Sequence, residues 1–364
     1  MSVASEKIVI FLGAGASKAD NAPLQGEVFK AFFENCPDED FKSQLQQVLV
    51  HCFMTKDSKQ DPDYPTFEEV LGFLGECLES GRDVVGLGTP ITEAWGHVVR
   101  AMIEAISLSV TRMSTNCHTQ LVDNLTRELG SLRGVVFIST NYDILIDNAL
   151  ASLYRNTPRV CLDYVVDFAN FYNGDPWGRP IPRVDSQDFV VELLKPHGSL
   201  NWLVCSGCNR IWLTPYEKGA FTQFDRRGSR SCEHCNVDYQ PIIVPPTYRK
   251  RFANPDLLNV HRVMEDRILA ADHIVFCGYS FPDADFHLKN LIKRAQLRRG
   301  QSKQFRVSVC NHNPRKTDGE VDAEERRFNR FLGDGVNHTR LSFEEFAAAP
   351  SRVLSRSPRT STAP

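Results

Sequence analysis

The period of the apolar positions changes along this chain, and each change marks an element. Residues 7–12, KIVIFL, are apolar without alternation after the lysine, which predicts a strand buried on both faces. The run passes directly into Gly13-Ala14-Gly15-Ala16-Ser17. From about residue 26 to 129 the apolar residues fall at three-and-four spacing, most clearly over 41–53, 67–78 and 91–108, and these stretches are predicted as helices. Pro62 and Pro65 interrupt the pattern ahead of Thr66, and Glu69 three residues on completes a helix-capping pair. Strand character returns over 134–139 and a helix follows over 143–153. Residues 155–190 are rich in Pro, Gly, Asn and Asp and are expected as loop. After a cysteine-bearing segment at about 203–240, a helix (255–271), strand (273–278), helix (285–298), strand (305–310) and helix (322–332) alternate. Such alternation implies a parallel sheet covered by helices. The tail from Pro350 is Ser, Arg, Pro and Thr rich and is expected to be disordered.

Composition narrows the class. The 364 residues are 42% hydrophobic, enough to bury a real core in one large or two modest domains. A formal net charge of −3 provides no global basic field for nucleic acid. No run of 18 apolar residues is present, so no membrane span or direct membrane contact is expected. The first residues, Met1-Ser-Val-Ala-Ser-Glu-Lys, lack the apolar segment of a signal peptide, so a cytoplasmic location is expected. The 11 cysteines are odd in number and do not suggest a disulfide scaffold. Seven of them (Cys36, Cys52, Cys77, Cys117, Cys161, Cys277, Cys310) are scattered, and several lie among apolar residues as core fillers.

The candidate chemistry clusters at predicted strand ends, where open α/β sheets bind ligands. Gly13-x-Gly15 suits either an ordinary strand-to-helix turn or a loop whose backbone N–H groups approach a pyrophosphate; Lys18 stands where a third fingerprint glycine would be. In Ser139-Thr140-Asn141-Tyr142-Asp143 the amide and carboxylate serve equally as helix caps or as ligand contacts. His197, in Lys195-Pro196-His197-Gly198-Ser199-Leu200-Asn201-Trp202, is either a buried structural imidazole or a general base. Cys277 to Asp285 and Val307 to Asn311 each end a strand in small or amide residues. Cys205-x-x-Cys208 and Cys232-x-x-Cys235, with 23 residues between the pairs, carry zinc-knuckle spacing. Four thiolates complete a tetrahedron with no open position, so the zinc is expected to be structural; His234 is a competing ligand. The zinc segment carries Arg210, Arg226, Arg227 and Arg230 but also Glu217, Asp225, Glu233 and Asp238, which is expected to be a mixed-charge surface rather than a DNA-binding one.

In this order the motifs resemble those of the sirtuins. That family has a Gly-Ala-Gly-x-Ser loop, Thr-Gln-Asn-x-Asp, His-Gly, two zinc knuckles, a Gly-Thr-Ser turn and a strand closing on Asn. The counterparts here are Gly13 to Ser17, Ser139 to Asp143, His197-Gly198, the four cysteines, Gly278-Tyr279-Ser280 and Asn311. The resemblance implies an α/β, Rossmann-like NAD-binding domain from residues 1–25, 130–155 and 241–345. Beside that domain, the residue pattern leads us to expect a helical insertion at 26–129, without counterpart in the compact protein deacylases, a loop and zinc-binding module at 156–240 and a disordered tail at 346–364. The resemblance implies that Gly13, Ala14, Gly15 and Ser17 hold the phosphates and ribose, that Asn141 positions the nicotinamide ribose and water, and that Asp143 binds the carboxamide. His197 would be the general base, and Gly278, Ser280 and Asn311 would contact the adenosine half.

Two stretches depart from the sirtuin pattern. Asn21-Ala22-Pro23-Leu24-Gln25-Gly26 replaces Gly-Ile-Pro-Asp-Phe-Arg, so the Phe and Arg that cover the reacting ribose are missing. Ile242-Ile243-Val244-Pro245-Pro246-Thr247 replaces the segment that pairs with an acyl-lysine peptide, and two prolines remove two N–H donors from that ladder. These departures resemble a divergent sirtuin-like branch with Thr-Asn-Tyr-Asp, His-Gly-Ser-Leu-Asn-Trp and Gly-Tyr-Ser-x-Pro-Asp motifs, whose members are often NAD hydrolases in bacterial anti-phage defence. The implied activity is an NAD+ glycohydrolase yielding nicotinamide and ADP-ribose, with NAD+ as substrate and Zn2+ as structural metal. A regulated homo-oligomer acting beside a partner such as a DNA translocase or nucleic-acid sensor is the implied context. The alternatives are an NAD-dependent lysine deacylase and a catalytically silent NAD or ADP-ribose sensor.

Overall fold

Seven parallel strands form the central sheet, and the chain order explains where its crevice lies. A computed structural model describes residues 6–53, 63–110, 116–156, 160–169, 189–214, 231–244, 254–300 and 304–355. The strands are β1 (Ile8–Leu12), β2 (Val135–Ser139), β3 (Val160–Asp163), β4 (Phe189–Leu194), β8 (His273–Cys277), β9 (Arg306–Cys310) and β10 (Val336–His338). They lie in the order β10-β9-β8-β1-β2-β4-β3. Every pairing in this sheet is parallel. β1 is central, with β2 on one side and β8 on the other, so the connections diverge at its carboxyl end. That is a topological switch point, where strand-to-helix loops part and leave a crevice. β1 and β8 are buried at every position, as their unbroken apolar runs predict.

Helices cover both faces. α1 (Ala14–Ala19) follows β1; α2 (Val28–Asn35), α3 (Glu39–Phe53), α4 (Phe67–Ser80), α5 (Ile91–Val110) and α6 (Cys117–Leu129) precede β2. α7 (Leu145–Asn156), α8 (Pro255–Ala270), α9 (Phe286–Arg299), α10 (Asp318–Leu332), α11 (Phe343–Ala348) and α12 (Ser351–Leu354) complete the set. Leu121, Val122 and Leu125 of α6 and Ile146 and Leu150 of α7 pack in one core with Ile8, Ile10 and Phe137 of the sheet. Val260, Met264, Leu288, Ile292 and Phe328 of α8, α9 and α10 pack on the other face with Val9, Phe11 and Phe276. Thr66 caps α4 in the reciprocal arrangement its spacing predicts, accepting from the Glu69 N–H.

A second core joins two stretches far apart in sequence. β5 (Gly198–Cys205), β6 (Ile211–Leu213) and β7 (Tyr239–Ile243) form a three-stranded antiparallel sheet in the order β6-β5-β7. Leu200, Leu203, Cys205, Cys232, Tyr239 and Ile243 share a core with Phe32, Leu45, Leu74 and Val98 of α2 to α5. Helices and cysteine-bearing sheet are therefore packed as one unit beside the Rossmann-like sheet.

Three expectations need correction. The 155–190 stretch is not all loop: Val160–Asp163 is a strand in parallel register with Phe189–Glu192. The 26–129 stretch is not one insertion, because α6 packs on the main sheet, held there by Asp20, whose carboxylate accepts from the Cys117 and His118 N–H groups at 2.7 and 3.1 Å. The tail does not begin at 346 or Pro350: Phe346, Ala347, Val353 and Leu354 are buried in the core that contains α6, and only residues beyond 355 lie outside the described ones.

Candidate functional site

The carboxyl ends of β1, β2, β4, β8 and β9 bring the sequence motifs to one crevice. At β1, Gly13 caps α1 in an extended conformation and Gly15 donates its N–H to the Gly278 carbonyl at 2.8 Å. A Cβ on Gly13 would lie 2.6 Å from the Tyr279 Cα, and one on Gly278, whose φ is +61°, would lie 2.0 Å from the Ala16 nitrogen. The two loops approach so closely that these positions admit only glycine, whatever ligand they hold. Ala14 is half-buried at the start of α1.

Beyond β2, Asn141, Ser17 and Asp143 form one hydrogen-bonded unit. The Asn141 amide donates to the Gly13 carbonyl at 2.9 Å and to Ser17 Oγ at 2.7 Å. Ser17 Oγ donates to Asp143 Oδ2 at 2.6 Å, and Asp143 Oδ1 accepts the Leu145 N–H at 3.1 Å, which begins α7. Asn141 and Asp143 are 8% and 4% exposed. The helix-cap and ligand readings are thus not exclusive: one carboxylate oxygen starts the helix and the other faces Ser17.

His197 lies in the turn after β4, 3% exposed. Its Nδ1 is 3.2 Å from the Thr140 carbonyl. A carbonyl only accepts, so the Nδ1 that faces it carries a proton. Nε2 lies 3.5 Å from Asp285 Oδ1. The same turn buries Lys195 completely; its Nζ donates to the Asp143 carbonyl (2.6 Å), Ser199 Oγ (2.7 Å) and Asp147 Oδ2 (3.0 Å). A buried ammonium with three such acceptors is compensated, and it fixes the Asp143 loop against the start of β5.

The β8 and β9 ends complete the wall. Asn311 Nδ2 donates to the Tyr279 carbonyl at 2.6 Å and to Glu324 Oε1 at 2.7 Å, and its Oδ1 accepts the Tyr279 N–H at 3.1 Å. Asn311 therefore pins the 278–279 turn, with a small surface depression beside it between Lys316, Glu324, His338 and Arg340. Ser280 is exposed. Phe281 holds a positive φ of 56°, unusual for a bulky residue, and is fixed by a stacked Phe328 ring 4.7 Å away. Tyr279 Oη donates to Asp285 Oδ2 at 3.0 Å.

Lys195, Asp285 and His287 were not assigned roles from sequence. Lys195 and Asp285 stand inside quoted motifs, and their polar type amid apolar neighbours is the signal. His287 follows Asp285 by two and is brought in by the turn into α9, its ring 5.5 Å from that of His197.

The four cysteines converge as their spacing predicts. Their sulfurs all lie within 4.8 Å of one another, with Cys205–Cys235 at 3.2 Å and Cys208–Cys232 at 3.6 Å. The two knuckles are matching turns: the Asn209 N–H donates to the Cys205 carbonyl and the Asn236 N–H to the Cys232 carbonyl, each at 2.8 Å, with both asparagines at positive φ. Burial alone would raise the Cys232 thiol, but the His234 and Cys235 N–H groups prevail and bring it down to about 6. Four sulfurs at this separation suit tetrahedral zinc, and His234 is exposed outside the cluster. Arg226, Arg227, Arg230, Glu217, Asp225, Pro245 and Pro246 lie outside the described residues.

A family model described as a SIR2-like domain matches residues 135–330. No curated protein matches. Among solved structures, a Sir2 enzyme bound to a propionylated peptide is 14% identical, with 94% of this chain and 91% of that chain covered and a TM-score of 0.40. A Sir2 enzyme with a p53 peptide and NAD+ is 13% identical over the same shares, with a TM-score of 0.42.

Proposed function

Because the chain belongs to the SIR2-like domain family, we propose that it is an NAD-dependent enzyme whose reaction is hydrolysis of NAD+ to nicotinamide and ADP-ribose. Family membership supports NAD use. The observation that carries the finer reading is the single unit formed by Asn141, Ser17 and Asp143 at the β1 switch point, with His197 against Thr140 beside it. Gly13, Ala14, Gly15 and Ser17 would take the phosphates and ribose, Gly278, Ser280 and Asn311 the adenosine half, and Asp143 the carboxamide.

In the reaction the C1′–N bond of the nicotinamide ribose breaks, nicotinamide leaves with the bonding pair, and positive charge develops on the ribose. Water adds at C1′ and loses a proton. Asn141 positions that water, and the Nε2 lone pair of His197 accepts the proton. Positioning and preorganised dipoles supply most of the acceleration in such a step. Asn141, Asp143 and His197 are all nearly buried, so NAD enters only when the Asn141–Ser17–Asp143 bonds re-pair. That requirement favours low basal turnover and activation by a partner or by oligomerisation, as suits an NAD-depleting effector of anti-phage defence. The four-cysteine cluster favours a second reading, an NAD-dependent lysine deacylase. Among the described residues no helix is long and apolar enough to cross a membrane.

Asn141→Ala is the direct test of the water-positioning role. Removing one preorganised donor costs about 10²–10³ in turnover, read as nicotinamide release from NAD alone. Release within a few fold of wild type would contradict the assignment.

A further inference from the structure

We infer that Lys195 is a positioning residue for the reaction: paired with Asp147 in the interior, its ammonium locks the turn that carries His197 against the Asn141–Asp143 segment. Lys195 is fully buried and directly follows β4. An ammonium has three protons to donate, and each finds an acceptor here. They are the Asp143 carbonyl at 2.6 Å, Ser199 Oγ at 2.7 Å and Asp147 Oδ2 at 3.0 Å. The first acceptor belongs to the segment after β2 that also holds Asn141. The second lies two residues beyond His197, as Lys195 lies two residues before it. The Gly198 N–H donates to the Lys195 carbonyl at 3.1 Å and closes the turn between them. His197 therefore sits on a loop whose two flanks meet at one charge, and the same charge grips the Asp143 backbone.

The third acceptor ties this joint to the sheet and its helix. Asp147 is nearly buried in the first turn of α7, and its Oδ1 accepts from Tyr164 Oη at 3.0 Å. Tyr164 is enclosed by the rings of Phe168 and Trp202, 5.6 and 5.7 Å away, and burial pushes its hydroxyl well above the usual range, so it keeps the proton it donates. Beside them the Leu200 N–H donates to the Tyr142 carbonyl at 2.8 Å, a second link between β5 and the segment after β2. A buried ion pair is poor ground for stability, because desolvation of two charges offsets their attraction and apolar side chains of like volume serve as well or better. What such a pair can supply instead is one geometry in place of several. Its contacts say which geometry: the Asp143 backbone and the flank of His197, which belong to two of the three residues assigned to the chemistry. All three contacts go to protein groups, so Lys195 acts on the reaction through them.

The effect on turnover rests on the NAD-hydrolase reading; the effect on the two loops does not. The test uses the full zinc-loaded chain carrying Lys195→Met together with Asp147→Asn, which removes both charges at once and leaves Tyr164 an acceptor. A positioning pair predicts a melting temperature within a few degrees of wild type and NAD affinity by calorimetry within a few fold. It also predicts kcat for nicotinamide release at least about tenfold lower, since a displacement of about 1 Å can cost about 10². Wild-type kcat in the folded double variant overturns the proposal, and so does a fall of kcat, NAD affinity and melting temperature together. Should the double variant not fold, Ser199→Ala, which removes one acceptor and no charge, decides by the same split. Its kcat should fall about fivefold, the net worth of one hydrogen bond, and an unchanged kcat overturns the proposal. A wild-type chain that releases no nicotinamide removes the hydrolase reading, and the positioning is then read by amide exchange in the same variants. Faster exchange at Leu145 and Leu200, with α9 and α10 protected as before, sustains it; unchanged exchange at both amides overturns it.

Discussion

His197→Ala is expected to lower NAD turnover by about 10²–10⁴, the usual contribution of a general base, while NAD affinity stays within a few fold. The split between the two effects is what distinguishes a base from a structural imidazole. His197 is 3% exposed and its Nδ1 faces the Thr140 carbonyl. A structural role would appear as lost stability and weakened binding together. Measuring kcat by nicotinamide release and Kd by calorimetry separates the cases, and wild-type turnover in a folded variant would return His197 to the structural reading.

Stripping the zinc is expected to unfold more than the knuckles. In such sites metal-binding free energy is folding free energy, about 10–16 kcal/mol apparent for zinc-finger peptides. Cys205 and Cys232 are themselves buried in the core that holds Leu200, Leu203 and Tyr239 against α2 to α5. Loss of the metal should therefore loosen those helices while leaving the seven-stranded sheet, whose cores are separate, largely protected. Hydrogen exchange after treatment with a chelator reads this directly. Metal analysis showing no zinc in protein purified under reducing conditions, or unchanged protection of α2 to α5 once zinc is gone, would contradict it.

The sequence made the inner strands legible because they are buried on both faces. Ile8–Leu12, Val135–Ile138 and Ile274–Cys277 are unbroken apolar runs, whereas Arg306 and Ser308 interrupt 305–310, and β1, β2, β8 and β9 lie in these four stretches. β3 was hidden for a converse reason. VCLD is only four residues long and sits among turn-forming residues, and its pairing with β4 spans a long stretch of chain. The position of α6 was equally hidden, since a three-and-four pattern shows an apolar face but not the surface it meets. Phe346, Val353 and Leu354 pack near α6 in the same core, so a Ser- and Arg-rich tail acquires structure where a few apolar residues find an existing core.

The site was legible in its backbone and less so in its supports. Glycines and an amide at strand ends announce a crevice, because only such residues let backbone and ligand approach. Lys195 signalled only a polar residue after an apolar run; its role became evident when β4 brought it beneath Asp143 and Asp147. Asp285 and His287 belong to a strand end and a helix start whose meeting with His197 depends on the order of β8, β1, β2 and β4 in the sheet.

The central claim is that water, not an acyl oxygen, captures the ribose. Incubating the purified chain with NAD, with and without an acylated peptide, and quantifying nicotinamide, ADP-ribose and acyl-ADP-ribose tests it most directly. The predicted result is nicotinamide and ADP-ribose in equal amounts without peptide, lost in Asn141→Ala and His197→Ala. NAD consumption that depends strictly on the peptide and yields acyl-ADP-ribose would contradict it and establish a deacylase.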